Sequence, residues 1–156
     1  MRPKKFKFKL QKILDMKLKQ EEDQKHVFTR ALNKLRTEQQ KLERLIQLRQ
    51  QKQHEMKMKM ELEELDAFEM QMYASYIERL KRDIALQREV VRKAEETVEI
   101  EKAKLQAIMA ERKAFEKLKE KHYQRFLQEQ EAEERKLIDE LATVKFARKL
   151  MQESEN

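Results

Sequence analysis

Hydrophobic residues recur at alternating steps of four and three from Tyr73 to Phe115, the spacing of one face of a coiled-coil helix. Thirteen positions fall on this pattern over about six heptads, and ten of them are apolar. The apolar positions are Tyr73, Ile77, Leu80, Ile84, Val91, Ala94, Val98, Leu105, Ile108 and Phe115, and the polar ones are Gln87, Glu101 and Arg112. The pattern predicts a long helix with a seam for a second helix.

The first half of the chain carries a weaker version of the same alternation. Its apolar positions are Leu10, Leu14, Phe28, Ala31, Leu35, Leu42, Leu45 and Met56. Polar residues occupy the seam between them, at Lys17, Glu21, Gln24, Glu38, Arg49 and Lys52. We therefore expect a second helix whose residues 15–26 pack loosely.

A helix start without glycine or proline is predicted near Asp66. Asp66 has the side chain of an N-cap, and Glu69 stands where the partner of a capping box belongs. Leu65 and Met70 flank them at the positions of a hydrophobic staple. The alternative is one unbroken helix of about 140 residues. A turn is favoured because each half-pattern then supplies the other with a packing partner.

The predicted fold is all-α, a single long antiparallel two-helix coiled-coil hairpin with an overhanging C-terminal helix. We expect helix 1 at about residues 6–62, a turn at about 63–67 and helix 2 at about 68–150. Paired residue numbers should sum to roughly 131, which places Leu45 near Ile84 and Leu35 near Ala94 or Val98. Residues from about Tyr123 to Leu150 should overhang by roughly 40 Å and present an unmet apolar stripe.

Composition supports long helices and excludes most chemistry. The 156 residues include no glycine, one proline and no cysteine, and 43% are charged. Disorder is the competing interpretation of so polar a chain, but the polar residues are mostly helix formers and the apolar ones are periodic. Without glycine there is no phosphate-binding or dinucleotide-binding loop. The three histidines are too far apart to share a metal, so we expect no enzyme activity, no metal and no cofactor.

The charge pattern argues against a nucleic-acid groove, because both signs are mixed along most of the chain. The net charge is +7, and residues 1–12 hold six basic residues and no acidic one. This basic start, with Phe6 and Phe8, has two interpretations: a contact with an acidic membrane or protein cavity, or a solubilising helix end. No apolar run is long enough to span a bilayer.

Soft and aromatic side chains bracket the predicted turn, where some must be exposed and suited to partner contact. They are Met56, Met58, Met60, Phe68, Met70, Met72, Tyr73 and Tyr76.

Three segments give the chain a resemblance to the FliJ family of the bacterial flagellar type III export apparatus. They are FKFKLQKIL at residues 6–14, YASYIERL at residues 73–80 followed by Ile84, and FEKLKEK at residues 115–121 followed by LIDE at residues 137–140. The matches occur in the family's order and spacing over nearly the whole chain.

The resemblance implies a non-enzymatic stalk, similar to the central subunit of rotary ATPases, at the cytoplasmic face of the membrane at the flagellar base. Its implied partners are the hexameric export ATPase, the cytoplasmic domain of the export gate and export chaperones. The family's gate contact corresponds to Tyr76, Leu80, Asp83 and Gln87 on the second helix. On the first helix, where some relatives have tyrosines, this chain has Leu45 and Arg49.

A stalk of this kind would meet the ATPase ring through its terminal segments. We expect those contacts at Lys4, Lys5, Phe6, Phe8, Phe126, Leu137, Leu141 and Val144. Two other interpretations stay open: a related stalk of a virulence secretion system, and a homodimerising scaffold coiled coil.

Overall fold

The computed structural model describes residues 4–155 and consists of two long helices packed against each other. Helix α1 spans Gln11–Glu61 and helix α2 spans Ala67–Glu155. No strand occurs within residues 4–155. The all-α hairpin predicted from the sequence is confirmed, and the alternative of one unbroken helix is wrong.

The helix boundaries differ from the predicted ones at both termini. Helix α1 begins at Gln11 rather than near residue 6, and residues 4–8 have no regular secondary structure. In this segment Phe6 and Phe8 pack onto side chains of α2. Helix α2 continues to Glu155 rather than ending near residue 150. Its last turns contain no glycine or proline that would terminate them.

The chain forms two compact units, Gln20–Ile108 and a second unit made of the residues up to Lys19 with those from Met109 onward. In the first unit, the predicted seam supplies the core: Leu80, Ile84, Val91, Ala94 and Val98 are buried. In the second unit, Phe8 and Leu14 are buried. All thirteen predicted seam positions of α2 are buried or partly buried, so the periodicity identified the packing face.

Two polar pairs join the helices across the seam of the Gln20–Ile108 unit. The Gln24 amide donates to the carboxylate of Glu101 at 2.6 Å and to its backbone carbonyl at 3.1 Å. The Gln87 amide donates to Glu38 in the same way, at 2.6 Å and 3.0 Å. These hydrogen bonds lower the pKa of the Glu101 and Glu38 carboxyls, because they favour the charged form.

Residues 15–26, which the sequence predicted to pack loosely, are therefore partly buried and hydrogen-bonded to α2. Glu21 is only 5% exposed, and Gln24 is bound to Glu101. The residue numbers of both polar pairs sum to 125 rather than the predicted 131. The pairing is thus shifted by about six residues in this unit, and Leu35 lies level with a position near Val91. The reason is that the apolar pattern repeats every seven residues, so by itself it does not distinguish registers about one heptad apart.

Candidate docking surfaces

The turn between the helices is closed by hydrogen bonds at both helix ends. The N–H of Glu64 donates to the carbonyl of Lys59 at 3.0 Å, and the N–H of Glu63 donates to Met60 at 3.1 Å. This is the pattern of a Schellman motif, and Glu63 occupies its left-handed position with φ of 54°. Glycine usually fills that position, so the turn holds a conformation that its sequence disfavours.

Helix α2 starts as the sequence predicted. The carboxylate of Asp66 accepts a 2.8 Å hydrogen bond from the N–H of Glu69, and the Asp66 carbonyl accepts the first intrahelical bond, from Met70. Asp66 is therefore the N-cap, which satisfies one of the helix's free N–H groups. The end of α1 and the start of α2 are thus both capped, and the first turns of α2 are helical although most of their residues are exposed.

An apolar stripe lies exposed along these first turns. Phe68, Met72 and Tyr76 follow each other at intervals of four residues, which places them on one face of the helix. Phe68 is 71% exposed, Met72 59% and Tyr76 38%. They line a shallow groove together with Gln71, Ser75 and Arg79. We call Phe68, Met72 and Tyr76 the tip stripe.

A second groove lies beside the turn, between the end of α1 and the start of α2. Methionines Met56 and Met60 line it with Ala74 and Ile77. The ammonium of Lys59 lies 5.4 Å from the centre of the Tyr73 ring, a cation–π contact that holds the two helices together here. Flexible methionine side chains suit a surface that adapts to a partner.

The residues expected to bind the export gate are not all accessible. Tyr76 belongs to the tip stripe, whereas Leu80 is 3% exposed and forms part of the seam. Asp83 and Leu45 are partly buried, and the Gln87 amide is bound to Glu38. Leu80 and Gln87 are seam positions one heptad apart, whereas Tyr76 lies outside the seam. Phe68 and Met72, which the sequence analysis named only among the side chains around the turn, are more exposed than any residue of the expected gate set.

The N-terminal segment forms an aromatic cluster with α2. The Phe6 ring lies 5.3 Å from Tyr123 and 5.5 Å from Phe126, and the Phe8 ring lies 5.5 Å from His122. Phe8 is buried, and Phe6 and Phe126 are partly buried. The aromatic residues expected to meet an ATPase ring are therefore engaged within the chain.

The remaining residues of that expected contact are exposed. Lys4 and Lys5 are exposed, and so is every residue from 131 to 155. The fully exposed stretch starts later than predicted, since Phe126, which packs against Phe6, and Gln130 are partly buried. Its apolar side chains are Leu137, Ile138, Leu141, Val144, Phe146, Leu150 and Met151. We call residues 131–155 the overhang. It presents an apolar surface, because Leu137, Leu141 and Val144 follow a spacing of four and three on one face.

Charged side chains on the outer faces pair within their own helix. Arg92 contacts both Glu89 and Glu96, one turn away on either side, and this raises the pKa of the guanidinium and lowers that of Glu89. Exposed pairs of this kind add little stability and support a solvated helical face.

Neither a metal centre nor a membrane span emerges from the described chain. No cluster of three or more histidine, aspartate or glutamate side chains within residues 4–155 could hold a metal ion. Neither helix, over the same residues, has a stretch long and apolar enough to cross a bilayer.

Comparison with known proteins places the chain in a family. No curated protein and no solved structure is significantly similar to it. The family model described as Flagellar FliJ protein matches residues 6–151, which is nearly the whole sequence. The match includes α1, the turn and most of α2. The chain belongs to the flagellar FliJ family and is a component of the flagellar export apparatus.

Proposed function

We propose that the chain is a non-enzymatic coupling protein that binds the hexameric export ATPase and the cytoplasmic domain of the export gate, and that escorts export chaperones. It would act at the cytoplasmic face of the membrane at the flagellar base. The observation that carries the proposal is the exposed tip stripe of Phe68, Met72 and Tyr76 in a chain of the FliJ family.

The tip stripe supports a gate contact through its exposure and its chemistry. Aromatic and methionine side chains are enriched at the centres of protein interfaces, because aromatic rings bury a large area with few rotatable bonds and flexible methionines adapt to the partner surface. The turn holds these side chains at a defined place, since the Asp66 cap fixes the start of α2. Leu80 and Gln87 would support this contact indirectly, by holding the helix that carries the stripe.

The overhang supports a contact with the ATPase ring. Its apolar face at Leu137, Leu141 and Val144 has no intramolecular partner within the described residues. A helix with one uncovered apolar face is suited to binding in a groove or between subunits. Lys4 and Lys5 are exposed as well and would speed association with an acidic surface.

The gate contact is tested by removing the tip stripe without touching the seam. In Met72→Ala/Tyr76→Ala, binding to the isolated cytoplasmic gate domain should weaken by about 30-fold or more, because one buried anchor typically contributes on the order of 2 kcal/mol. The control is Glu78→Ala/Arg82→Ala, which changes exposed residues at the same spacing on another face. Equal gate affinity in the two variants, measured by calorimetry, would place the contact elsewhere.

The ATPase contact is tested on the overhang in the same manner. Leu137→Ser/Leu141→Ser should reduce stimulation of ATPase turnover and hexamer assembly. Asp139→Ser/Thr143→Ser changes the other side of the same turns and should leave both at the wild-type level. Truncation after residue 130 should abolish the stimulation of ATPase turnover. Full stimulation by the truncated chain would exclude the overhang as the ATPase contact.

A further inference from the structure

The two polar pairs of the seam share a geometry that apolar packing does not require. In each, a glutamine amide bridges the backbone carbonyl and the carboxylate of one glutamate on the other helix. The donor lies on α1 in one pair and on α2 in the other. Positions 24 and 38 are two heptads apart, as are positions 87 and 101. We call Gln24–Glu101 and Gln87–Glu38 the seam pairs.

We propose that the seam pairs determine the register of the hairpin, which its apolar seam leaves open. Apolar residues recur every heptad from Ile77 to Leu105 on α2, and Phe28, Leu35 and Leu42 are one heptad apart on α1, so these positions keep apolar partners after a shift of seven residues. A polar residue in a coiled-coil seam selects one register because every other register leaves it without a partner.

Shifting the helices by one heptad separates all four polar side chains from their partners. In one direction, Gln24 would face Ile108 and Glu38 would face Ala94, while Gln87 and Glu101 would face apolar residues of α1. In the other direction, Gln24, Glu38 and Gln87 would each face an apolar residue of the opposite helix. Each slipped register therefore buries amides or carboxylates without hydrogen bonds, which is costly.

The five residues of the turn, 62–66, do not by themselves exclude a slipped register. The Schellman motif holds Glu63 in a left-handed conformation that is unfavourable for glutamate. Unwinding a few residues at the end of α1 and the start of α2 would lengthen the connection and release that residue. Near the turn the seam is also only partly buried, at Met56, Tyr73 and Ile77.

The absence of cysteine makes the register directly measurable in the full-length chain. Spin labels at Asn33→Cys and Arg79→Cys occupy exposed positions of α1 and α2. In the observed register they lie about 20 Å apart along the helix axis, and a slip of one heptad changes this separation by about 10 Å. Excess unlabelled protein ensures that only distances within one chain are detected by pulsed dipolar spectroscopy.

The decisive variant replaces all four residues of the seam pairs by leucine. We expect it to stay helical and to melt at the wild-type temperature or above, because apolar replacement of a buried polar pair is often neutral or stabilising. Its distance distribution should nevertheless gain a second population displaced by about 10 Å. A single, unchanged distance in this variant would overturn the proposal and assign the register to the turn.

Two further variants test whether the register depends on matched amide–carboxylate pairs or only on the presence of polar residues in the seam. The exchange variant Gln24→Glu/Glu101→Gln with Gln87→Glu/Glu38→Gln keeps one amide and one carboxylate in each pair, and should retain a single wild-type distance. The variant Gln24→Glu/Gln87→Glu places two carboxylates in each pair, and should show the displaced population at neutral pH. One unchanged distance for this second variant would also contradict a role in register.

Discussion

Replacing Glu63 by glycine should stabilise the protein. With φ of 54°, Glu63 holds the left-handed conformation at the C-terminus of α1. An L-residue other than glycine or asparagine pays roughly 1–2 kcal/mol for this conformation, because its Cβ approaches the following carbonyl. Glycine avoids that contact. It also gains freedom in the unfolded chain, which offsets about 0.4–1 kcal/mol of the benefit.

The net effect of Glu63→Gly is therefore an increase of roughly 0.8 kcal/mol in the free energy of unfolding, at the middle of the range that these two figures allow. For a chain of this size, that corresponds to a rise of about 1–4 °C in melting temperature. The hydrogen bonds of the motif should persist, since they run between backbone atoms of Lys59, Met60 and their partners. Thermal unfolding followed by circular dichroism at 222 nm measures the shift.

The neighbouring exposed residue supplies a matched control. Glu64 is exposed and has a negative φ, so Glu64→Gly brings the entropic cost of glycine without relief of strain. We expect Glu64→Gly to melt at a slightly lower temperature than the wild type and Glu63→Gly at a higher one. If both variants lower the melting temperature equally, the left-handed residue stores no strain and the reasoning fails.

Three further predictions concern the cap, the seam and acid. Asp66→Ala should lower the free energy of unfolding by about 1 kcal/mol through loss of the N-cap bond, whereas Asp66→Asn should retain most of it in urea titrations. Leu80→Ala should lower it by about 2–5 kcal/mol, because the side chain is buried, and a small effect would show that Leu80 is not a core residue. The pKa values of Glu38 and Glu101 are lowered in the folded chain from 4.5, so their contribution is complete above that pH and is lost as the pH falls through the folded pKa. Melting temperatures should therefore fall more steeply on acidification in the wild type than in Glu38→Gln/Glu101→Gln, and parallel curves would contradict this linkage.

The sequence predicted the helices and the turn because these depend on local signals. The spacing from Tyr73 to Phe115 identified which face of α2 is buried, and Asp66 marked where that helix begins. Both follow from the period of the helix and from capping chemistry, which need no knowledge of distant contacts.

The register and the N-terminal segment depend on long-range contacts and were not predicted. Apolar periodicity repeats every seven residues, so it could not distinguish a pairing sum of 131 from one near 125. Matching Gln24 with Glu101 and Glu38 with Gln87 would have supplied the missing information. The sequence predicted that Phe6 and Phe8 belong to helix 1. In the structure they lie in a segment without regular secondary structure, and their rings pack against Tyr123 and His122 of α2.

The structure places Leu80, one of the residues expected to bind the export gate, inside the seam. A motif carried over from a family names positions but not the face that each one occupies in this chain. Leu80 also belongs to the seam, where its side chain is buried against α1, so it is not exposed to a partner in this structure. Tyr76 stays a candidate because it lies one turn earlier, outside the seam.

The overhang has a consequence for how tightly any partner can be held. Residues 131–155 form about seven turns of helix with no tertiary packing to stabilise them, so their order depends on intrinsic helix propensity. Glu, Ala, Lys, Arg and Leu predominate in this stretch, and all of them favour a helix. A partner that binds the apolar face therefore gains from preorganisation, because less backbone entropy is lost on binding. Substitution of Ala132 or Ala142 by glycine would then weaken binding through the free state alone, although neither side chain belongs to the apolar stripe.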